Sequence, residues 1–255
     1  MMDWWQWWFL PLAAFFAGFV DAVVGGGGLV QIPALFATLP QHVPATLFGT
    51  NKLASVFGTG IAAWRYARRV TMPWRTTLPA AVMAFAASYL GAMAVAWLPK
   101  AWLRPILLVL LIAAAAYTFW RKDFGAVHRP RQAGWRELLL ATLLGGTIGF
   151  YDGFFGPGTG SFLIFLFIRF FGFDFLHASA AAKVVNVATN LAALAFFVPH
   201  GHLLAATALG MAVCNVAGAV AGSHLALRHG SGFVRRVFLA VVVALILRFA
   251  WDSLR

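Results

Sequence analysis

An all-α polytopic membrane protein made of two repeated halves is the fold this sequence predicts, with helices broken or re-entrant at glycine-rich motifs. Three observations predict it: a composition suited to lipid, apolar runs of spanning length, and a single register shift that lays one half on the other. Of 255 residues, 62% are hydrophobic and only 10% charged, with a mean hydropathy of +0.84. A soluble domain carries about 25% charged residues. Leu78 to Leu98 is one uncharged run, long enough to supply the ~20 helical residues that cross a hydrocarbon core.

The apolar runs, in order, are Trp5 to Val24, Leu29 to Leu39, Leu47 to Trp64, Leu78 to Leu98, Ile106 to Trp120, Leu138 to Phe155, Phe162 to Phe173, Ala178 to Val198, Leu203 to Leu227 and Val237 to Leu247. They allow roughly seven to ten crossings. Leu29 to Leu39 and Phe162 to Phe173 are too short to cross alone, so each reads as half of a broken helix or a re-entrant segment. Trp4, Trp5, Trp64, Trp97, Trp102, Trp120, Trp135 and Trp251 fall near run ends, where an amphipathic indole prefers the membrane interface. The first run lacks a basic leader and a small-residue cleavage site, and is expected to remain in the mature protein.

The net charge of +12 does not point to nucleic acid. The arginines sit in short loops between runs, where positive charge orients a membrane protein toward the cytoplasm. Cys214 is the single cysteine, which rules out an intramolecular disulfide and a cysteine-based metal cluster. No cofactor is expected.

The repeat is visible as one offset. Asp21 and Asp152 are 131 positions apart, and the same shift matches Gly18 with Gly149, Phe19 with Phe150, Gly25 with Gly156, Gly27 with Gly158 and Lys52 with Lys183. Further along it matches Phe36 with Phe167, Val82 with Val213 and Gly91 with Gly222. The chain therefore divides into a first membrane half, 1–120, a basic cytoplasmic linker, 121–136, and a second membrane half, 137–255. Arg65, Arg68, Arg69 and Arg75 form a basic loop whose counterpart, Phe196 to Ala206, has no Lys or Arg, while charge reappears at Arg228, Arg235 and Arg236. That displacement favours an inverted over a parallel repeat by a narrow margin.

Chemistry is expected where polarity survives in lipid. Lys52 precedes Ser55 and Thr59, and Lys183 precedes Asn186 and Asn190, each at i+3 and i+7. On a helix these positions share a face, so each half presents an ammonium and two hydrogen-bonding groups. An intramembrane lysine costs about 2.5–3.5 kcal/mol on insertion scales, so a partner or a solute must offset it. One reading pairs Asp21 with Lys52 and Asp152 with Lys183, as two ion pairs within the halves. The other places both lysines, as an equal pair, around an anion in a central cavity.

The glycine motifs favour the anion. Asp21-Ala-Val-Val-Gly-Gly-Gly-Gly28 and Asp152-Gly-Phe-Phe-Gly-Pro-Gly-Thr-Gly160 each interrupt an apolar run. A helix restarting after such a break aims free amides and a positive dipole end at it. Glycines that merely let helices pack closely are the plainer reading of any one position. Gly25, Gly26, Gly27, Gly28, Gly156, Gly158, Thr159 and Gly160 thus join Asn51, Lys52, Ser55, Thr59, Lys183, Asn186 and Asn190 as candidate substrate-binding residues. Asp21 and Asp152 are candidates for proton coupling or for counter-charges.

Gly-Phe-Val-Asp-Ala-Val-Val-Gly-Gly-Gly-Gly-Leu with Thr50-Asn51-Lys52-Leu53, and Gly-Phe-Tyr-Asp-Gly-Phe-Phe-Gly-Pro-Gly-Thr-Gly-Ser-Phe with Ala182-Lys183, resemble the sulfite exporter TauE/SafE family over nearly the whole chain. The resemblance implies a multi-pass permease of the bacterial inner membrane, linked to sulfite, sulfonates or related sulfur-containing organic acids. Asn51 has Ala182 as its repeat counterpart, so the halves need not contribute equally.

Competing motifs are weaker. Gly156-Pro-Gly-Thr-Gly-Ser161 lacks the lysine of a phosphate loop. Ser161 with His177, His200 or His202 would suit an intramembrane serine hydrolase only if a general base stood nearby. His128, His200, His202, His224 and His229 fall near run ends and read as surface histidines rather than a metal site. The expected mechanism is alternating access, the halves rocking about a central cavity, with an anion channel as the alternative. Partners are the small anion and the bilayer, and a homo-oligomer stays open.

Overall fold

The computed structural model describes residues 6–95, 125, 127–130 and 134–253. The predicted run Ile106 to Trp120, the end of Leu78 to Leu98, most of the linker 121–136, and Trp4, Trp5, Trp97, Trp102 and Trp120 lie outside the described residues.

Every regular element among the described residues is helical. In order they are α1 Gln6–Val24, α2 Gly28–Thr38, α3 Pro44–Ala67, α4 Trp74–Ala94, α5 Trp135–Phe154, α6 Thr159–Leu166 continued by a π-helical turn Phe167–Phe171, α7 Phe175–Phe197 and α8 Ala205–Ser253. Helix starts follow local chemistry. Pro44 opens α3 behind an extended Val43, and the Asp174 side chain caps α7 by accepting from the His177 amide. Gly230, at φ 74°, kinks α8.

Three helical stretches, α4, α7 and Ala205–Ala240 of α8, are long and apolar enough to cross a membrane. Helices α1, α3 and α5, of 19, 24 and 20 residues, come close to or exceed the same length. At about 1.5 Å per residue, ~20 residues match a hydrocarbon core of about 30 Å. The surface and interior are reversed relative to a soluble protein. Trp8, Leu12 and Phe16 on α1, Leu78 and Val82 on α4, Leu139 and Leu143 on α5, and Leu209 and Val213 on α8 are exposed at i, i+4 spacing. Gln31, Thr50, Asn51, Lys52, Thr59, Asp152, Lys183, Asn186, Asn190 and Asn215 are buried. Lipid is the solvent that makes such an outside stable.

Two interruptions divide the membrane-embedded chain. The first lies between Val24 and Gly28, where Gly25 takes φ +76°, and the second between Phe154 and Thr159, where Gly156 and Gly158 take φ +91° and +84°. The helices that follow, α2 with 11 residues and α6 with 8, are as short as the sequence suggested.

Packing interleaves the two halves of the sequence. The most extensive helix contacts are α4 with α5, α1 with α8, α3 with α8, α4 with α7 and α3 with α7, each joining an element before the linker to one after it. Close approach depends on small residues: a methyl group at Gly145, Gly149 or Gly153 of α5 would come within 2.5 Å of the α4 backbone. Bodies that move past one another would therefore draw helices from both halves, so two rigid sequence halves are not the natural moving parts.

Candidate functional site

The two interruptions meet. The Ser161 amide donates to the Gly25 carbonyl at 2.9 Å, and Ser161 Oγ donates to the Val24 carbonyl at 2.9 Å. A methyl on Gly25 would lie 2.4 Å from the Gly160 backbone, and one on Gly160 2.4 Å from Gly25 O. Only a pair of glycines allows this contact, and the positive φ of Gly25 adds a second reason at that position. One of the amides at the start of α6 is therefore already committed to protein. On the second interruption, Thr159 Oγ1 donates to Gly156 O at 2.7 Å and the Tyr151 hydroxyl to Pro157 O at 2.6 Å, which fixes the loop.

Beside this junction lies a cavity of about 30 Å³, lined by Asp21, Gly25, Gly28, Asn51, Lys52, Ser55, Thr59, Asp152, Gly156, Gly158, Thr159, Gly160, Asn186 and Asn190. A water needs about 10–15 Å³ of such space. The space corresponds to about two waters, so a larger anion calls for movement of the lining residues. Three of the residues singled out from the sequence do not line it. Gly26 packs toward Ser161 and Val20, and Gly27 backs onto Ala17 and Asp21 of α1. Lys183 is buried nearby, its ammonium 5.3 Å from the centre of the Tyr66 ring.

The charges pair across the halves. Lys52 Nζ donates to Asp152 Oδ2 at 2.5 Å, with both side chains about 95% buried at 4% and 5% exposure. Lys183 Nζ donates at 2.8 Å to the main-chain carbonyl of Asp21. The Asp21 carboxylate accepts instead from Thr59 Oγ1 at 2.9 Å. The expected pairs within each half, Asp21 with Lys52 and Asp152 with Lys183, are thus replaced by crossed contacts. The reason is topological: interleaved packing sets α3 against α7 and brings the second interruption over Lys52, so that a methyl on Gly156 would lie 3.3 Å from its ammonium.

The helical stripes place Ser55 and Thr59, and Asn186 and Asn190, at the cavity as their spacing suggested. Two carboxamide oxygens, Asn51 Oδ1 and Asn186 Oδ1, are buried without a hydrogen-bond partner. Leaving a buried polar atom unsatisfied costs about 1–3 kcal/mol, which a ligand or water supplying a donor would offset.

Sequence reasoning missed three polar residues around the site. Tyr66, fully buried, presents its ring face to Lys183 and donates its hydroxyl to Ala22 O at 3.1 Å. Asn215 of α8 donates to Gln31 of α2 at 2.9 Å and to Ala14 O of α1 at 3.3 Å, tying three helices together. The signal was present but uninformative, since Gln31 and Asn215 are isolated polar residues in apolar stretches and Tyr66 stands beside the arginines of a loop, none with a partner close in sequence. Ser161 donates its hydroxyl to a main-chain carbonyl, an anchoring contact that gives no support to a nucleophile.

Comparison with known proteins agrees with this architecture. Residues 10–249 match the model of the family described as sulfite exporter TauE/SafE. The chain is 38% identical over 245 residues to the probable membrane transporter protein ORF9 of a Sinorhizobium species, covering 96% of this chain and 92% of that relative. It is 35% identical over 244 residues to the probable membrane transporter protein YfcA of Escherichia coli strain K12, covering 96% and 89%. A probable membrane transporter protein of Haemophilus influenzae is 32% identical over 240 residues, covering 94% and 92%. No solved structure matches.

Proposed function

Because this chain belongs to the sulfite exporter TauE/SafE family of membrane transporters and is not an enzyme, we propose that it carries a small sulfur-containing anion across a bacterial inner membrane by alternating access. Sulfite, a sulfonate or a related organic acid is the cargo class. The observation that carries this reading is the polar cavity at the meeting of two helix breaks, with a buried lysine in its wall.

Lys52 is the counter-charge that the anion meets. In this structure Asp152 is paired with it, so an arriving anion competes with a carboxylate, and a proton on Asp152 removes the competitor. That makes Asp152 the coupling residue in preference to Asp21, whose carboxylate holds Thr59 and whose carbonyl holds Lys183. Lys183 adds positive potential behind the first break. Asn51, Ser55, Thr59, Asn186 and Asn190 replace part of the anion's hydration, and Gly25, Gly28, Gly156, Gly158 and Gly160 line the cavity without side chains to fill it.

The reading includes a duplication of 1–120 and 137–255 joined by a cytoplasmic linker, 121–136. Its support is a close contact made twice: a methyl at Gly91 would lie 2.2 Å from Phe150 O, and one at Gly222 2.5 Å from Phe19 O. Gly91 with Gly222, and Phe19 with Phe150, are counterparts under the 131-residue shift.

Purified protein in liposomes tests the proposal. Uptake of radiolabelled sulfite that saturates, is accelerated by anion on the opposite side and is lost in Lys52→Met is expected. Flux that neither saturates nor responds to trans anion would indicate a channel. A wide panel of sulfur-containing anions that neither moves nor stabilises the protein against heat would overturn the cargo class.

A further inference from the structure

Away from the cavity, at the start of α7, three side chains converge. Asp174 Oδ1 accepts from the His177 amide at 2.8 Å and lies 2.8 Å from His177 Nδ1. Helix capping accounts for that pair with no ligand. It does not account for His128.

His128 belongs to the segment between the two halves, which is held over α7 by main-chain bonds on either side. The Arg129 amide donates to Gly172 O at 2.8 Å, and the Phe175 amide to Gly125 O at 3.0 Å. The imidazole of His128 stacks on that of His177, centroids 3.8 Å apart, and packs on Phe173 at 5.4 Å. Its Nδ1 is buried without a hydrogen-bond partner. One ligand atom from each of His128, Asp174 and His177 lies within 4.8 Å of the other two.

We propose that His128, Asp174 and His177 bind a divalent cation of the zinc class, which fastens the segment between the halves to the first turn of α7. Two imidazoles and one carboxylate suit zinc, cobalt or nickel better than magnesium or calcium, which prefer oxygen. Zinc bonds of about 2.0–2.1 Å in a tetrahedron set ligand atoms roughly 3.4 Å apart. The present spacing therefore has to contract. Binding requires the two stacked imidazoles to rotate about their side-chain bonds, unstacking so that a nitrogen of each faces a common point, with His177 Nδ1 giving up its contact to Asp174. Three protein ligands leave the fourth position to water.

The protonation states already suit a metal. Burial, followed by the neighbouring His177, holds His128 below the usual imidazole range. Burial pushes Asp174 up, but the side-chain and main-chain hydrogen bonds of His177 outweigh it and leave the carboxyl below its usual range. A neutral imidazole and an ionised carboxylate are the forms that ligate. Helix α7 also carries Lys183 and Asn186, so such a clamp would hold the segment between the halves to the element that forms one cavity wall.

The test uses full-length, tag-free protein in detergent, stripped with chelator and titrated with Co²⁺, then Zn²⁺ in competition. One equivalent of Co²⁺ with the visible absorption of a tetrahedral site, displaced by Zn²⁺, is expected, together with a rise of the thermal midpoint on adding Zn²⁺. His128→Ala should weaken Co²⁺ binding at least tenfold while the metal-free midpoint stays near the wild-type value. If that variant folds poorly, His128→Gln, which keeps most of the volume, should give the same loss. His200→Ala should bind as wild type does. Absence of stoichiometric binding, or equal binding by wild type and the His128 variants, would overturn the site.

Discussion

Lys52 and Lys183 occupy the same register in the two halves, and both are buried, at 3% and 1% exposure. Their surroundings satisfy them differently. Lys52 is held by a carboxylate and stands in the cavity wall, whereas Lys183 is held by a main-chain carbonyl and an aromatic face behind the wall. The 131-residue offset matches the positions of the two charges but not their partners. A carboxylate can be released from its lysine by a proton, while a carbonyl cannot, so the two sites have different capacities to switch.

The sharpest way to break this comparison is at the aspartates. Asp152→Asn leaves Lys52 charged and without its counter-ion, and removing one member of a buried pair costs about 3–5 kcal/mol. Asp21→Asn keeps the carbonyl that holds Lys183 and loses the Thr59 contact together with a more distant attraction of its carboxylate for that lysine, at a cost of about 1 kcal/mol. Thermal unfolding in detergent should therefore rank Asp152→Asn far below Asp21→Asn. Equal losses would mean that the two halves hold their lysines alike.

Next in size is the effect on ligand. Lys52→Met should weaken binding of the transported anion by more than tenfold, about 1.4 kcal/mol. Lys183→Met, acting from behind the wall, should change it by less than about threefold, a few tenths of a kcal/mol. The sequence on its own predicts equal effects, and equal tenfold losses measured by calorimetry would restore that symmetrical reading.

A smaller effect concerns the ring. A double-mutant cycle of Tyr66→Leu with Lys183→Met should show a coupling of about 0.5–2 kcal/mol, the range of a desolvated cation–π contact. The same cycle with Lys52→Met should show none. Coupling to Lys52 as large as to Lys183 would remove the distinction between the two environments.

The smallest effect lies outside the pair and serves as a reference for it. Burial, followed by the neighbouring His177, holds His128 below the usual imidazole range, with Asp174 opposing. A histidine with a depressed pKa in the fold contributes stability that is full above the unfolded value and lost as pH falls through the folded one. Metal-free wild type should therefore lose thermal stability modestly as pH drops below about 6.5, and His128→Ala should flatten that slope. An unchanged slope in the variant would assign the pH response to other groups.

Much of this architecture was legible from residue order. Glycine clusters just after Asp21 and Asp152 marked the two helix interruptions, because several glycines so close together weaken a helix and allow the positive φ that Gly25, Gly156 and Gly158 adopt. The i+3 and i+7 spacing after each lysine identified the cavity-facing residues Ser55, Thr59, Asn186 and Asn190. Pairing was not legible. Helical periodicity assigns a residue to a face but is silent on which helix that face meets, and Lys52 finds its partner 100 residues away and Lys183 its own 162 away. Tyr66 was hidden for a related reason, since nothing in a lone tyrosine distinguishes a ring set against an ammonium from one set in the interface.

The crossed contacts also set the order of events at the ribosome. With synthesis at about 5–20 residues per second, Asp152 emerges roughly 5–20 s after Lys52. During that interval a lysine enters the insertion machinery without its counter-ion, and the face of α1 around Gly18 waits still longer for Asn215 of α8. The nascent first half must therefore be sheltered, hydrated or held by an insertase until the second half arrives. Expression of 1–120 alone would give quality control a fragment whose Lys52 lacks Asp152.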